Sequence, residues 1–406
     1  MDDAGAVAMI PEHVPRDRVR DFNIYSYDVD DADFPQALLK LRQPGEPETF
    51  WSPHNGGHWV VTRAATIDAV VNDAERFSNR YVGIPKALNP TRLFRPLQID
   101  PPEQVKYRML VAEALSPRVV ATLREDARRL TVELIEGFRA RGECDFVVEF
   151  AQHMPIGIFM SIVGVPGGDR LPLLAIAEKI ARPTSDAERM QGYVELDAYA
   201  LGMINERRGG SGDDFVSYLC RSTLEGEPIP EDELIGIISL VMIAGLDTVS
   251  GALGFFARFL ARNPDRRREL RDDPALINGA VEELLRRYAT PLMAREVRCD
   301  LELDGVSMRK GDMVTAPLVL HNIDDAKFED PLHVDFRRPR KPSHITFGGQ
   351  AHRCLGAMLA RTELQIFLAE WLARIPEFSI RPGCELAVRT RVTSIMPSLP
   401  LVWDPA

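Results

Sequence analysis

The chain has 406 residues, of which 45% are hydrophobic and 27% charged, a balance that excludes a disordered or fibrous protein. Its net charge of −11 argues against binding to the phosphate backbone of nucleic acids, which requires a basic face. Five scattered cysteines without a Cys-x-x-Cys pair exclude a dense disulfide framework and suit a reducing cytosol. The first residues contain neither a basic run nor a long apolar run, so we expect no signal peptide and a cytoplasmic protein.

The predicted elements are mainly helices. Residues 1–60 have no clear period, and residues 59–62 form a short strand pattern after two glycines. Helical patterns recur at 116–142, 146–164, 194–208, 266–272, 277–288 and 356–374, whereas the strand signal is concentrated in 297–320. No repeat or long linker divides the chain. We expect a mostly α protein, one domain over 1–406, whose β-containing parts lie at about 45–65, 295–320 and 378–403.

Residues 234–260 form an apolar segment long enough to cross a bilayer, with Asp247 and Arg258 as its only charges. A carboxylate near the middle of a membrane span costs ~2.5–3.5 kcal/mol, which disfavours insertion. Pro230 before the segment and Asn263-Pro264 after it are typical of a helix start and end. We therefore expect one long helix through the centre of a soluble protein and no membrane association.

Cys354 lies in a glycine-rich segment, residues 347–356, directly before a helical pattern. The helix N-terminus and the neighbouring Arg353 both favour its thiolate form. Such a thiolate would serve as a nucleophile, a zinc ligand or a haem ligand. Zinc is the weakest option, because no second cysteine lies at finger spacing and His352 is too close. A nucleophile would need a histidine base from elsewhere in the chain.

The same segment resembles the haem-ligand signature of the cytochrome P450 monooxygenases, Phe-x-x-Gly-x-His/Arg-x-Cys-x-Gly. Phe347, His352, Cys354 and Gly356 match the signature, whereas Gln350 replaces its second glycine. The resemblance implies the P450 fold, a helix-rich prism with a long central helix over the haem and small β-sheets. It also implies haem b as the cofactor, with Cys354 as the axial ligand of its iron. The effect of Gln350 on the loop is left open by the sequence.

Two further motifs support the resemblance. Glu283 and Arg286 stand at i and i+3 on one helix face, as an ordinary surface pair would, and resemble the family's Glu-x-x-Arg. In the family this pair meets a later arginine, here Arg338, and stabilises the fold and the haem loop. Residues 244–248, Ala-Gly-Leu-Asp-Thr, resemble the family's oxygen-activation groove. By that resemblance Thr248 stabilises the activated dioxygen, and Asp247 relays protons for cleavage of its O–O bond.

The resemblance runs nearly end to end and indicates the bacterial camphor-hydroxylase branch. The segments that read alike are 11–15, 55–59, 100–104, 245–248, 282–287 and 399–406. By this match Arg108, Arg295 and His352 contact the haem propionates, and Gln104 stands where the branch also has glutamine. For the arginines, the alternative is a solvated surface position, which the surrounding matches make weaker.

The predicted substrate pocket departs from that branch at its polar anchor. Arg92 takes the place of a tyrosine that hydrogen-bonds the ketone in camphor hydroxylases, and Phe94 and Leu97 follow it. Arg92 would either anchor a carbonyl itself or turn to solvent and leave a wider apolar pocket. The remaining lining is predicted to be Ile180, Leu240, Ile243, Ala244, Thr290, Pro291 and Val392. We expect a cyclic terpenoid or norisoprenoid substrate, with camphor disfavoured.

Electrons must come from another protein, because the sequence has no flavin, nicotinamide or iron–sulfur fingerprint. The branch uses a [2Fe–2S] ferredoxin with its reductase, and Lys106, Arg108 and Arg353 would form a basic patch for it. Solvated surface charge is the alternative for these three residues. Two other functions stay open: a peroxide-using hydroxylase, and a haem-thiolate sensor or binding protein without turnover. The Asp247-Thr248 pair argues against both, since neither needs a proton relay.

Overall fold

The computed structural model describes residues 7–26, 29–30, 33–165, 167–181, 183 and 185–405. Its helices are α1 Phe34–Leu38, α2 Ala64–Asn72, α3 Glu103–Ala114, α4 Pro117–Arg139, α5 His153–Val163, α6 Arg170–Ala181, α7 Asp186–Arg207, α8 Phe215–Arg221, α9 Glu231–Ala244, α10 Leu246–Arg262, α11 Pro264–Asp272, α12 Ile277–Arg287, α13 Leu318–Asn322 and α14 Ala357–Arg374. Its strands are β1 Val29–Asp30, β2 Thr49–Ser52, β3 His58–Val61, β4 Phe77–Ser78, β5 Glu143–Asp145, β6 Thr223–Leu224, β7 Glu227–Pro228, β8 Leu292–Val297, β9 Leu301–Leu303, β10 Val306–Met308, β11 Met313–Pro317, β12 Ser379–Ile380, β13 Ala387–Val388 and β14 Pro400–Val402. The mostly α fold with small sheets is confirmed.

The helices form where apolar residues recur at helical spacing, as α4 illustrates. Pro117 occupies its first turn, where a missing N–H costs nothing, and apolar side chains from Val120 to Phe138 line one buried face. That face packs on α14 and α5. Ser116 stands at the N-cap position, but its hydroxyl has no hydrogen-bond partner among the described residues. Burial of the apolar face, rather than a side-chain cap, therefore stabilises this helix.

The largest described sheet has the strand order β2-β3-β11-β8-β4. Its β3–β11 pair is parallel, with Val314 opposite Trp59, and its other pairs are antiparallel. A two-residue turn at Asp304 and Gly305, both with positive φ, joins β9 to β10, as the Asp-Gly dipeptide predicts. The sheet carries Arg295 on β8, opposite Val314 of β11.

The predicted central helix is divided in two. Helix α9 ends at Ala244 and α10 begins at Leu246, with Gly245 between them. By length and composition Glu231–Arg262 could cross a membrane, yet 71% of its most apolar window is buried inside the protein. Such burial is typical of a core helix. The long central helix is therefore present, with a local break at Gly245 that lies at the site described next.

Candidate active site

The loop before α14 is folded back on itself by backbone hydrogen bonds. The amide of Cys354 donates to the carbonyl of Phe347 at 2.8 Å, and the amide of Gly348 donates to the carbonyl of Ile345 at 2.8 Å. Gly348 has a φ of +70°, which suits glycine. A Cβ at Gly349 would overlap the side chain of Asn72 on α2. The loop is therefore pressed directly onto a neighbouring helix, with little freedom to move.

Gln350, which replaces a glycine of the signature, adopts a backbone conformation that favours glycine. Its φ is +41°, in the left-handed region, and its side chain is exposed. A non-glycine residue there costs ~1–2 kcal/mol. The exposed side chain demands no room inside the loop, so the departure from the signature is accommodated at the expense of local strain.

Cys354 is exposed just before α14, while the protein atoms around its thiol raise the pKa of this thiol by desolvation. The amide of Gly356 and the charges of Arg108, Arg361 and Arg353 oppose this shift. A soft sulfur donor beside an amide and three cations suits a metal that holds the thiolate form. Among the described residues no group of three His, Cys, Asp or Glu side chains could hold a metal, which leaves a single-thiolate site.

The break between α9 and α10 forms a less buried stripe on the central helix. Residues from Leu234 to Met242 are buried, whereas Ala244 is exposed, and Asp247 and Thr248 are half-buried. The hydroxyl of Thr248 donates to the carbonyl of Ala244 at 3.1 Å, and the backbone bond from Val249 to Gly245 is long at 3.4 Å. The threonine hydroxyl thus satisfies a carbonyl where the helix is distorted.

A buried cation on β8 has no ion-pair partner among the described residues. Arg295 is 3% exposed and donates to the carbonyl of Ala294 at 2.8 Å, but no described carboxylate lies within ion-pair distance. Burial lowers the pKa of Arg295 to about 10, and the more distant Asp100 partly opposes this shift. An unpaired charge in this position is expensive. It calls for an anionic ligand.

Further unsatisfied polar atoms lie on the same side of the loop. His352 has its Nε2 3.6 Å from the Oδ1 of Asp100, too far for a hydrogen bond, and burial lowers the pKa of this imidazole. Gln104 is 1% exposed and donates to the carbonyl of Ala351 at 2.7 Å, while its Oε1 has no described partner. One turn later, Arg108 donates to the carbonyl of Arg353 at 2.6 Å. Helix α3 is therefore docked on the loop by residues at i and i+4.

These residues fit iron protoporphyrin IX. Its iron requires a donor such as the thiolate of Cys354, and its two propionates would satisfy Arg295 and the polar atoms of His352. Gly356 leaves the space beside the sulfur free, since a Cβ there would lie 3.8 Å from the Sγ of Cys354. The predicted cofactor residues are thus brought to one place, with Phe347 packed under the guanidinium of Arg361 at 4.4 Å.

The predicted brace is present. Glu283 is 4% exposed and accepts hydrogen bonds from Arg286 at 2.8 Å and from Arg338 at 3.0 Å. Arg286 also donates to the carbonyls of Asn322 and Pro331, both at 2.8 Å. The cluster therefore fixes the segment that leads into the haem loop, as the resemblance implies.

The predicted pocket residues differ in how deeply they are buried. Phe94, Leu240 and Thr290 are buried, Leu97, Ile180, Ile243 and Pro291 are half-buried, and Val392 is 38% exposed. Arg92 takes neither of the two expected positions. Its Nε donates to Asp197 at 2.8 Å, and its Nη1 donates to the carbonyl of Asp232 at 3.1 Å. Asp197 was not predicted as a partner of Arg92, because it lies on α7, 105 residues later in the chain.

The predicted basic patch has an apolar border. Arg353 is exposed and Arg108 half-buried, whereas Lys106 lies 3.5 Å from Glu225 and over the ring of Tyr107. Val105 precedes Lys106 on α3 and Met109 follows Arg108, and these two apolar residues are 50% and 70% exposed. The sequence analysis missed these two residues, although an i, i+4 apolar pair beside cations is readable in the sequence.

Comparisons with known proteins agree with this geometry. The family model "Cytochrome P450" matches residues 173–383. "Probable cytochrome P450 127A1" of Sinorhizobium fredii (strain NBRC 101917 / NGR234) is 34% identical over 383 residues, 92% of each chain. "Mycinamicin IV hydroxylase/epoxidase" of Micromonospora griseorubida is 33% identical over 86% of this chain and 91% of its own. The structure of CYP101J2 matches with a TM-score of 0.91 at 38% identity, covering 98% of this chain and 100% of the other. CYP101C1 matches with a TM-score of 0.90 at the same identity and coverage.

The site and the relatives therefore have one explanation. A reachable thiol before α14 and a buried, unpaired Arg295 form a haem-thiolate site, and the fold is shared along almost the whole chain with solved P450 structures. The resemblance seen in the motifs is confirmed: this chain belongs to the cytochrome P450 family, the haem b-dependent monooxygenases.

Proposed function

We propose that this P450, acting as a single cytoplasmic domain over 1–406, hydroxylates an unactivated C–H bond of a small apolar cyclic substrate. A terpenoid or norisoprenoid is expected, with camphor disfavoured. The observation that carries the proposal is the engagement of Arg92. Because its donors bond Asp197 and Asp232, they do not serve as a polar anchor for a ketone. The orientation of the substrate in a pocket lined by residues such as Leu240 and Ile243 then depends on how well the substrate's shape fits the pocket.

When bound, haem b supplies the iron that activates dioxygen. Cys354 would hold this iron from the side of α14, and Arg295, His352, Arg108 and Gln104 would hold the propionates. Thr248 and Asp247 would handle protons. The Thr248 hydroxyl, which donates to the carbonyl of Ala244, would hold a proton for the reaction, and the adjacent Asp247 would pass protons from solvent to this hydroxyl. A positioned proton donor of this kind contributes ~10²–10⁴-fold in rate.

A [2Fe–2S] ferredoxin with its reductase is the proposed electron source. Arg108 and Arg353 supply positive charge beside Cys354 in a protein whose net charge is −11. The exposed Val105 and Met109 give the patch an apolar part, as docking surfaces combine a desolvated centre with a charged rim. Charge reversal at Arg353 should slow reduction and flatten its salt dependence, and unchanged kinetics would contradict the patch.

An optical titration of the ferric holoprotein tests the proposal. The panel contains camphor, other monoterpenoids and ionones, and the readout is a shift of the Soret band to the high-spin position. Response to terpenoids other than camphor supports the substrate class, whereas camphor as the best substrate by turnover overturns it. Substrate-dependent NADH consumption with ferredoxin and reductase separates a monooxygenase from a sensor. Turnover with peroxide but not with NADH would favour the peroxide-using alternative.

A further inference from the structure

A short segment, residues 92–95, joins three elements around the predicted pocket. The guanidinium of Arg92 bridges Asp197 on α7 and the carbonyl of Asp232 in the first turn of α9. The second carboxylate oxygen of Asp197 accepts a hydrogen bond from Ser239 on α9 at 3.0 Å. We call residues 92–95 the strap. Its charged end is thus tied to α7 and α9 together.

The strap lies directly on α9. A Cβ at Gly236 would overlap the carbonyl oxygen of Leu93 and would lie 3.7 Å from the Cδ of Arg92. Phe94 is 4% exposed and meets the ring of Tyr193 on α7 edge to face, with centroids 5.8 Å apart. Only a glycine at 236 permits such an approach, so the resting place of the strap is well defined.

The position of Gly236 relates the strap to the reaction site. Gly236, Leu240 and Ala244 stand at i, i+4 and i+8 and therefore share one face of α9. At 1.5 Å per residue, the strap crosses this face about 6 Å before Leu240 and about 12 Å before Ala244. The strap therefore covers the end of the predicted pocket that is farther from Thr248.

The two ends of the strap are held differently. At Arg95, the guanidinium lies 3.6 Å from Glu233 and over the ring of Tyr107, and Tyr107 itself donates to Glu233 at 2.9 Å. At Arg92, the ion pair with Asp197 is reachable by water, with side chains 28% and 27% exposed. Water-accessible ion pairs contribute little net stability and open readily. The Arg95 end is thus an anchor, and the Arg92 end can release.

We propose that the Arg92–Asp197 pair is a latch that holds the strap over the pocket and sets the rate at which substrate leaves. This inference rests on the proposed function, because it takes the face of α9 next to the strap, from Leu240 to Ala244, as a wall of the substrate pocket. Arg92 acts through the strap as a positioning residue and not as a contact to the substrate. Release of substrate then requires the pair to open, while the anchor at Arg95 persists.

Stopped-flow measurement of substrate release from the ferric holoprotein tests the latch. Asp197→Asn removes the charge but retains an acceptor for Ser239, and we expect release about fivefold faster with the melting temperature unchanged. Arg92→Met should give the same increase, and the double variant should be no faster than either single variant. High salt should speed release from the wild type and not from Asp197→Asn. Arg381→Gln, which breaks the remote pair with Glu143, is the matched control and should change nothing.

Hydrogen exchange in the strap gives a readout that needs no substrate. The amide of Phe94 donates to the Oε1 of Gln98 at 2.9 Å, and the amide of Gln98 donates to the carbonyl of Phe94 at 2.8 Å. Both amides should exchange faster in Asp197→Asn than in the wild type. If no compound of the panel binds, the proposed function fails, while exchange still decides whether the pair holds the strap. Unchanged exchange, or unchanged release of a compound that does bind, overturns the latch.

Discussion

Removal of the charge at Glu283 is the sharpest test of the buried brace. The carboxylate accepts two hydrogen bonds from Arg286, bonds from Arg338 to both oxygens, and one from the amide of Asp335. Glu283→Gln keeps the shape, but its amide nitrogen would face a guanidinium that also only donates. The buried Arg286 and the half-buried Arg338 then lose their counter-ion. Breaking a buried ion pair on one side costs about 3–5 kcal/mol.

The free energy of unfolding, from urea denaturation of the holoprotein followed by circular dichroism, measures this loss. For a chain of this length the same loss lowers the melting temperature by about 4–6 °C. Glu136→Gln is the matched control, because Glu136 also meets two arginines, Arg139 at 2.9 Å and Arg374 at 3.2 Å, but is 46% exposed. The control should lose less than about 1 kcal/mol. Equal losses in the two variants would refute the argument that burial determines the effect.

Three further predictions concern the site and its support. Thr248→Val removes the hydroxyl at constant shape, so the amount of product formed per NADH consumed should fall about tenfold, while the substrate-induced Soret shift persists. Thr248→Ser should restore this ratio of product to NADH. An unchanged ratio in the valine variant would exclude the proton role of Thr248. Gln350→Gly relieves the left-handed strain but adds backbone entropy to the unfolded chain. The free energy of unfolding in urea denaturation should therefore rise by about 0.5–1 kcal/mol. A lower free energy of unfolding would mean that the glutamine side chain stabilises the loop. Burial raises the pKa of Glu282, but hydrogen bonds and charge from His344 and Arg361 outweigh it and lower this pKa to about 2. Because the folded pKa is depressed, the stabilisation is complete above the unfolded value of about 4.3 and is lost as pH falls towards 2. After discounting for its partial exposure, Glu282→Gln should cost about 2 kcal/mol at pH 7, and the difference from wild type should shrink below about pH 4.5; a difference independent of pH would contradict this assignment.

Local motifs made the reaction site predictable from the sequence. Cys354 and the Glu283–Arg286 pair are recognisable because their spacing is short and their chemistry is costly elsewhere. Hydropathy could not place the local break at Gly245, because the apolar pattern continues through it. At this break the Thr248 hydroxyl donates to the carbonyl of Ala244. Hydropathy does not register a hydrogen bond of this kind.

The strap was not predictable for a different reason. Arg92 and Asp197 are 105 residues apart. Taken alone, each belongs to a polar stretch that is typical of a solvated surface. Their pairing depends on how α7 and the strap meet on α9, and the closeness of the strap to α9 depends on Gly236, whose lack of a side chain carries no chemical signal. Sequence reasoning identified the unusual residue but not its partner.

The parallel pairing of β3 with β11 has a consequence for biosynthesis. Thr315 donates to the carbonyl of Trp59, 256 residues earlier in the chain. On a ribosome that adds ~5–20 residues per second, β2 and β3 wait roughly 10–50 s for the strand that completes their sheet. During that interval their edge is open to pairing with other nascent chains. The haem loop emerges later still, so the cofactor meets a sheet that is already closed, and conditions that slow translation should favour aggregation over cofactor loading.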